Sequence, residues 1–294
     1  MKIAVFGQFY NKNAEVSIGT LIEILKQKKA SIVFQEDFYT SIVNSVNLNV
    51  ENNDFETFNK LDNSFELLIS IGGDGTILRA ITLVKDLEIP IVGINTGRLG
   101  FLATIQKDKI EDAINSILKG EYHISERNLL SIKTIPENKD LLDLDFALNE
   151  IAVSRKNTTS MITVETSLND EYLTSYWADG LIVSTPTGST GYSLSCGGPV
   201  IMPEADNIVL TPIAPHNLNA RPLVISSDTE IKLKVSGRED NYLVSLDSRI
   251  ATLDNNTTII IKKASFKIKM IELEDESFLD TLRKKLLWGE DKRN

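Results

Sequence analysis

The residues that first suggest chemistry are Gly72-Gly73-Asp74-Gly75-Thr76. They follow an apolar run, Phe65 to Ile71, and precede a stretch of helical periodicity from Thr76 to Leu87. A glycine turn between a strand and a helix lets a ligand approach the backbone closely. The helix N-terminus behind it offers unpaired N–H groups and the positive end of the dipole, both suited to a phosphate. The turn is not one of the familiar phosphate loops. The chain has no Gly-x-x-x-x-Gly-Lys-Ser/Thr, and no Gly-x-Gly-x-x-Gly follows its first strand. Asp74 is out of place in an anion site unless it has a task. It has three candidate tasks: to take a proton from an attacking hydroxyl, to help hold a divalent cation, or to cap the adjoining helix. Arg79, one turn on, either neutralises a phosphate or lies on a solvated face.

A second unusual stretch runs from Asp179 to Pro199, DGLIVSTPTGSTGYSLSCGGP. Leu181 to Val183 is a short apolar strand, and Pro186 and Gly188 punctuate the residues after it. Seven Ser and Thr residues and five Gly residues crowd this segment. Small hydroxyls and exposed N–H groups suit ribose, phosphate and purine edges. An irregular structural turn explains the same composition. Asn149-Glu150 is a smaller signal, an amide beside a carboxylate between two strand-like segments, Leu144–Leu148 and Ile151–Ser154. Buried, such a pair needs partners or a ligand. As an isolated pair it reads as an exposed bend.

Hydrolytic and metal chemistry find little support. There is no Gly-x-Ser-x-Gly elbow. His123 and His216 are the only histidines and Cys196 the only cysteine. They make neither a nucleophile–base signature nor a typical zinc set. One cysteine allows no intrachain disulfide, which fits a reducing compartment.

The elements that must position these residues fall into two groups. Strands at Lys2–Gly7, Ser31–Phe34, Phe65–Ile71 and Ile89–Ile94 alternate with helical stretches at 13–29, 76–87 and 108–119. That alternation predicts a parallel sheet covered on both faces. Residues 36–64 are polar and Asn-rich, with room for one helix. After about residue 122 the pattern becomes β-branched and alternating, with few helix candidates as far as 270. Asn169-Asp170 reads as a hairpin turn. Ser277 to Trp288 is helical again. The expected architecture is an α/β domain over 1–122 with a tail at 272–294, and a mostly-β domain over 123–271.

The chain has 294 residues, 42% hydrophobic and 24% charged, with a formal net charge of −10. That acidity argues against general nucleic-acid binding and against an anionic membrane surface. No run is long enough to span a bilayer, and the N-terminal apolar run is too short for a signal peptide. The expected location is cytoplasmic.

Taken together, the motifs resemble the NAD kinase family. GGDGT at 72–76, IVGINTGRLGFL at 91–102, LNE at 148–150, the 179–199 block, TPIAPHNLNARPLV at 211–224 and LRKKLLWG at 282–289 stand in the order of that family. GGDGT alone is shared with diacylglycerol and sphingosine kinases; the 179–199 block is far more specific. The resemblance implies transfer of the ATP γ-phosphoryl group to the 2′-hydroxyl of the adenosine ribose of NAD, assisted by a divalent cation, Mg²⁺. It implies Asp74 as general base and Gly75 beside the dinucleotide. It implies Phe101 at the adenine, Asn149 and Glu150 on the dinucleotide, and Asp179 toward the nicotinamide. Thr190, Gly191, Tyr192, Ser193, Leu194 and Ser195 would contact adenine and ribose; Arg79 is a candidate ligand contact from its place in the helix alone, not from the resemblance. It also implies a tail that returns to the first domain, and a homo-oligomer, dimer or tetramer. The chain departs from the family at Gly191, where many members have Ala. It departs at Trp177, where a basic residue is common, and at Asp247-Ser248-Arg249, near a position where a Gln often touches ligand. No contact is assigned at the last two. The competing readings are a lipid kinase, which shares the glycine turn, and a dinucleotide sensor without catalysis.

Overall fold

The computed structural model describes residues 1–8, 12–45, 50, 54–142, 145–157, 160–274 and 276–289. Part of the expected polar segment (46–49 and 51–53) and Leu144 of the expected strand at 144–148 lie outside them. The chain divides into two compact units, Met1–Glu126 with Ile268–Asn294, and Arg127–Lys267.

The first unit is α/β. It runs β1 (Lys2–Gly7), α1 (Lys12–Gln27), β2 (Ser31–Gln35), α2 (Glu36–Val43), β3 (Glu56–Phe58), β4 (Leu67–Gly72), α3 (Asp74–Val84), β5 (Ile91–Asn95) and α4 (Ile110–Lys119). The strands lie side by side as β5-β4-β1-β2-β3, all parallel. Ile69 and Ile71 of β4 join Ile3 and Val5 of β1 in a core. α1 covers it with Ile18, Leu21, Ile22 and Leu25, spaced to share one helical face. The winding reverses between β1 and β4, since β2 lies on one side of β1 and β4 on the other. In such sheets ligands bind at the carboxyl ends of the strands beside the reversal, here Gly7 and Gly72.

β4 and β5 each begin two residues later than the pattern, at Leu67 and Ile91, and both ends of α3 differ from it. α3 begins at Asp74, not Thr76, because Gly73 takes the extended N-cap position. It stops at Val84 because Lys85 turns to φ 48°. β3 was not foreseen: three residues give too short a period to read.

The second unit is β-rich. It holds β6 (His123–Ile135, which begins in the first unit), β7 (Phe146–Ala147), β8 (Glu150–Arg155), β9 (Ile162–Leu168), β10 (Glu171–Ala178), β11 (Gly180–Ser184) and a four-residue helix α5 (Tyr192–Ser195). Then come β12 (Asn207–Ile213), β13 (Leu223–Ser226), β14 (Ile231–Gly237), β15 (Asn241–Leu246), β16 (Arg249–Asp254) and β17 (Thr258–Glu272). One antiparallel sheet is ordered β13-β12-β11-β8-β15-β16, and β10-β9-β14-β17 run antiparallel in another. Leu181, Val183, Ile151 and Val153 of the first share a core with Val164, Leu233 and Ile259 of the second. The β9–β10 hairpin turns at Asn169 and Asp170, as expected, with φ of 50° and 65°. Both values suit a two-residue turn that follows strand twist.

The end of β17 belongs to the first unit, where Met270 pairs parallel with Ile91 of β5. The chain then forms α6 (Phe278–Leu286), capped by the Ser277 hydroxyl, which accepts from the Asp280 N–H at 3.1 Å. The α/β first unit, the β-rich second unit and the final helix in the first unit are the architecture the sequence implied. Among the described residues no helix is long and apolar enough to cross a membrane.

Candidate active site

In the first unit the feature to explain is Asp74. It does not cap its helix, since no side chain caps α3. Its carboxylate instead accepts three consecutive backbone N–H groups: Phe101 at 2.8 Å on Oδ2, and Leu102 and Ala103 at 3.0 Å each on Oδ1. An ionised carboxylate has about four lone-pair positions, so about one stays open. The segment that supplies these donors follows β5. Buried Asn95 staples its base: Nδ2 donates to the carbonyls of Arg98 (2.7 Å) and Ala103 (3.2 Å), and Oδ1 accepts from the Gly97 N–H at 2.7 Å. Gly100 makes the close approach possible, because a Cβ there would stand 1.8 Å from Asp74 Oδ1. Gly72 has φ +155° and leaves room for the Thr76 hydroxyl. Among the described residues, Gly73 and Gly75 face open space: apart from their own turn and helix, nothing lies within 4 Å of where a Cβ would stand. The turn thus presents a fixed carboxylate beside unfilled volume.

Arg79 points elsewhere in the same unit. It lines a cleft of about 360 Å³ with Gln8, Gln35, Asp37 and Ser41, at the carboxyl ends of β1 and β2. Phe101 is half-buried and packs its ring 6.1 Å from that of Phe278.

In the second unit the sheet order builds the site. β8 lies between β11 and β15, both antiparallel to it, with Ser184 opposite Glu150 and Leu246 opposite Ile151. The residues that leave β11 and β15 therefore arrive at the start of β8. From one side the Asp247 carboxylate accepts the N–H groups of Leu148 (2.9 Å), Asn149 (2.8 Å) and Glu150 (3.2 Å). From the other, the Thr185 N–H donates to the Asn149 carbonyl at 2.9 Å and the Thr185 hydroxyl to the Leu148 carbonyl at 2.6 Å. Gly188 lets this turn sit on Asn149, since a Cβ there would be 2.1 Å from the Asn149 carbonyl oxygen. The exposed bend expected of Asn149-Glu150 is not what forms. The pair is half-buried and clamped, and among the described residues Asn149 Oδ1 and Glu150 Oε2, both buried, have no hydrogen-bond partner. Unpaired buried acceptors are costly, so each calls for a partner that the described chain does not supply.

Glu150 is also electrostatically unusual. Burial, and then the charge of Asp247, push its carboxyl up to about 7, while the Tyr192 N–H pulls the other way. Burial likewise raises Asp247, against three N–H donors and Arg249. Arg249 lies 3.9 Å from Asp247, donates to the Phe146 carbonyl and sits over the Phe146 ring.

The remaining expected residues divide. Gly191 stands by Glu150, with a built Cβ 3.1 Å from Oε2, and Tyr192 is exposed beside it. Ser193 is buried and shares a 2.7 Å hydrogen bond with Thr211, so its hydroxyl faces inward. The Thr190 hydroxyl turns back to the Thr187 carbonyl at 3.2 Å. Leu194 is half-buried and Ser195 exposed. Asp179 pairs with Arg155 at 2.9 Å. Trp177 packs at a tilt against His216, ring centroids 4.7 Å apart. Reading the sequence missed Gly100, Gly188 and the role of Asp247. The signal for Asp247 was an acid in the two-residue turn between β15 and β16, where it takes φ 52°.

Two variants test this geometry. Gly100→Ala forces the 97–103 segment off Asp74 and should cost roughly 1–3 kcal/mol in urea unfolding; wild-type stability would show that the segment absorbs the atom. Glu150→Gln tests the buried acid. The folded state holds the Glu150 proton more tightly than the unfolded state, so wild-type stability falls as pH rises from about 4.5 to about 7. The variant should be more stable than wild type above pH 7, by at most ~3 kcal/mol, and equal to it near pH 4. Unfolding curves at both pH values check this.

The chain matches known sequences along its whole length. The family profile for the ATP-NAD kinase N-terminal domain matches residues 4–122, and that for the C-terminal domain matches 148–273. It is 62% identical over 294 residues to the NAD kinase of Christiangramia forsetii, and 42% over 293 residues to that of Bacteroides fragilis, covering 100% of each chain in both cases. Among solved structures, the NAD kinase of Archaeoglobus fulgidus in complex with ATP superposes with a TM-score of 0.75 at 27% identity, covering 98% of this chain and 99% of that one. Yeast NADH kinase complexed with NADH shares the fold, with a TM-score of 0.85 at 22% identity, covering 100% of this chain and 89% of that one. With both halves of the chain matched and full-length relatives as much as 62% identical, the protein belongs to the NAD kinase family.

Proposed function

We propose that the chain transfers the γ-phosphoryl group of ATP to the 2′-hydroxyl of the adenosine ribose of NAD, giving NADP and ADP. The observation that carries this reading is the Asp74 carboxylate, held by three backbone N–H groups with about one acceptor position open. That position suits one hydroxyl. As the 2′-oxygen bonds to the γ-phosphorus and the bond to the β,γ-bridging oxygen breaks, Asp74 takes the hydroxyl proton. Transfer of this kind depends on alignment and on spreading of charge.

Other side chains take roles that their environments suit. Asn149 Oδ1 and Glu150 Oε2, buried and unpaired, accept hydrogen bonds from the dinucleotide. Gly191 and Tyr192 stand beside Glu150. Gly75 leaves room for a ligand at the turn, and Arg79 with its polar cleft receives donor phosphate. Phe101 is assigned to the adenine and Asp179 to the nicotinamide end by family resemblance. Mg²⁺ fits this reading as part of the ATP substrate. Among the described residues no three His, Cys, Asp or Glu side chains converge on a cation site, and most of Asp74's acceptor capacity is already used. The family also suggests a homo-oligomer, dimer or tetramer. Full-length likeness to NAD kinases favours NAD over a lipid acceptor, and retention of Asp74, Asn149 and Glu150 favours catalysis over sensing.

The test is Asp74→Asn, which keeps shape and loses the base. In a coupled NADP assay kcat should fall by about 10²–10⁴, with KM for NAD changed only a few-fold. Near wild-type turnover rejects the base assignment. Labelled ATP offered with NAD and with diacylglycerol in parallel should label only the dinucleotide.

A further inference from the structure

The Asp74 carboxylate is only as well placed as the three N–H groups that hold it. Those donors sit in a segment with two supports. Asn95 fixes its base through the hydrogen bonds of its side-chain amide. Its far side, Leu99 to Phe101, belongs to no strand or helix and contains Gly100, which adds no side chain to restrain it. The support there comes from 186 positions later in the chain. Lys285 Nζ donates to the Leu99 carbonyl at 2.6 Å and lies 5.2 Å from the centre of the Phe101 ring. The Phe278 ring also packs against the Phe101 ring, centroids 6.1 Å apart. Phe278 and Lys285 are seven residues apart, two turns of α6, and so share a face. Thr281 and Leu282 between them are buried.

The basic residues of α6 are not used alike. Arg283 and Lys284 pair with Asp280 within the helix, at 3.2 Å for the first and 2.5 Å for the second. Such exposed pairs contribute little. Among the described residues Lys285 has no ion-pair partner; its charge goes to a carbonyl and an aromatic face. Both belong to residues that flank Gly100, and one of them, Phe101, supplies the N–H on Asp74 Oδ2.

We propose that α6 braces the Asp74 carboxylate, with Lys285 as a positioning residue that acts through Leu99 and Phe101. This rests on Asp74 being the base of the phosphoryl transfer above. Lys285 touches no reacting atom. It sets the backbone from which Asp74 hangs, and so the direction in which the open acceptor position points. Catalysis is sensitive to displacements of that kind far from the reacting atoms.

The experiment compares Lys285→Met, which keeps the stem and removes the charge and donor, with Lys285→Arg, which keeps both. In Lys285→Met, kcat should fall about tenfold while KM for NAD and ATP stays within about twofold. The melting temperature should stay within about 2 °C, because the residue is exposed. Amide hydrogen exchange should quicken at Phe101, Leu102 and Ala103 and stay unchanged at Asn149 and Glu150. Lys285→Arg should restore most of both properties. Wild-type kcat in Lys285→Met overturns the proposal, as does unchanged exchange at 101–103, or a melting temperature lowered with exchange raised throughout the first unit. The exchange readout needs no substrate. Faster exchange at 101–103, with Asp74→Asn fully active, would therefore sink the base assignment while leaving the brace itself intact.

Discussion

A backbone N–H turned away from water needs an acceptor, and three in a row need three. The structure meets this need twice with one aspartate. Asp74 takes the N–H groups of Phe101, Leu102 and Ala103; Asp247 takes those of Leu148, Asn149 and Glu150. The two arrangements are chemically alike and serve opposite ends. In the proposed transfer the first carboxylate is the reactive group and the backbone its holder, whereas the second carboxylate is the holder and Asn149 and Glu150, on the held backbone, are the groups proposed to meet the ligand. The glycines around both sites follow from this. Gly100 and Gly188 are where backbone must come within contact distance of a carboxylate or carbonyl, and no larger residue allows it.

The electrostatics of the second arrangement carry a cost. Glu150 is buried beside a second acid, and its Oε2 has no partner. A folded chain selected for stability alone would not keep it. Local rules tend to fail at functional sites, where a ligand supplies what the protein withholds. Arg249 offsets the charge of Asp247, and the Tyr192 N–H partly stabilises Glu150, so the cost is reduced without being removed.

Much of this was legible from residues close in sequence. The strand, glycine turn and helix around Asp74 were legible from local pattern, and the Asn169-Asp170 turn followed from two residues that tolerate positive φ. What could not be read was anything that depends on distant partners. A helix cap was one local reading of Asp74; its partners in the fold lie 27 to 29 positions away. Asn149-Glu150 looked like an exposed bend because nothing nearby shows that β11 and β15 end on either side of it. Asp247 went unassigned for the same reason, as its three donors are 97 to 99 positions away. Ser193, grouped by composition with ligand-facing hydroxyls, turned inward to Thr211, because composition does not reveal which face of a short helix is buried.

The strand β17 has a consequence for how the molecule is made. Its first residues, Ile259 and Ile261, belong to the core of the second unit, and its last, Ile271, belongs with Leu273 to the core of the first. Synthesis runs from the N-terminus, and domains generally fold as they emerge. The first 126 residues carry the Asp74 turn, yet they lack part of their own core until the end of the chain arrives. The unit begun first is therefore the one completed last. A product cut short after Lys267 would have its second unit whole and its first unit open along β5, an apolar edge that proteases and chaperones recognise.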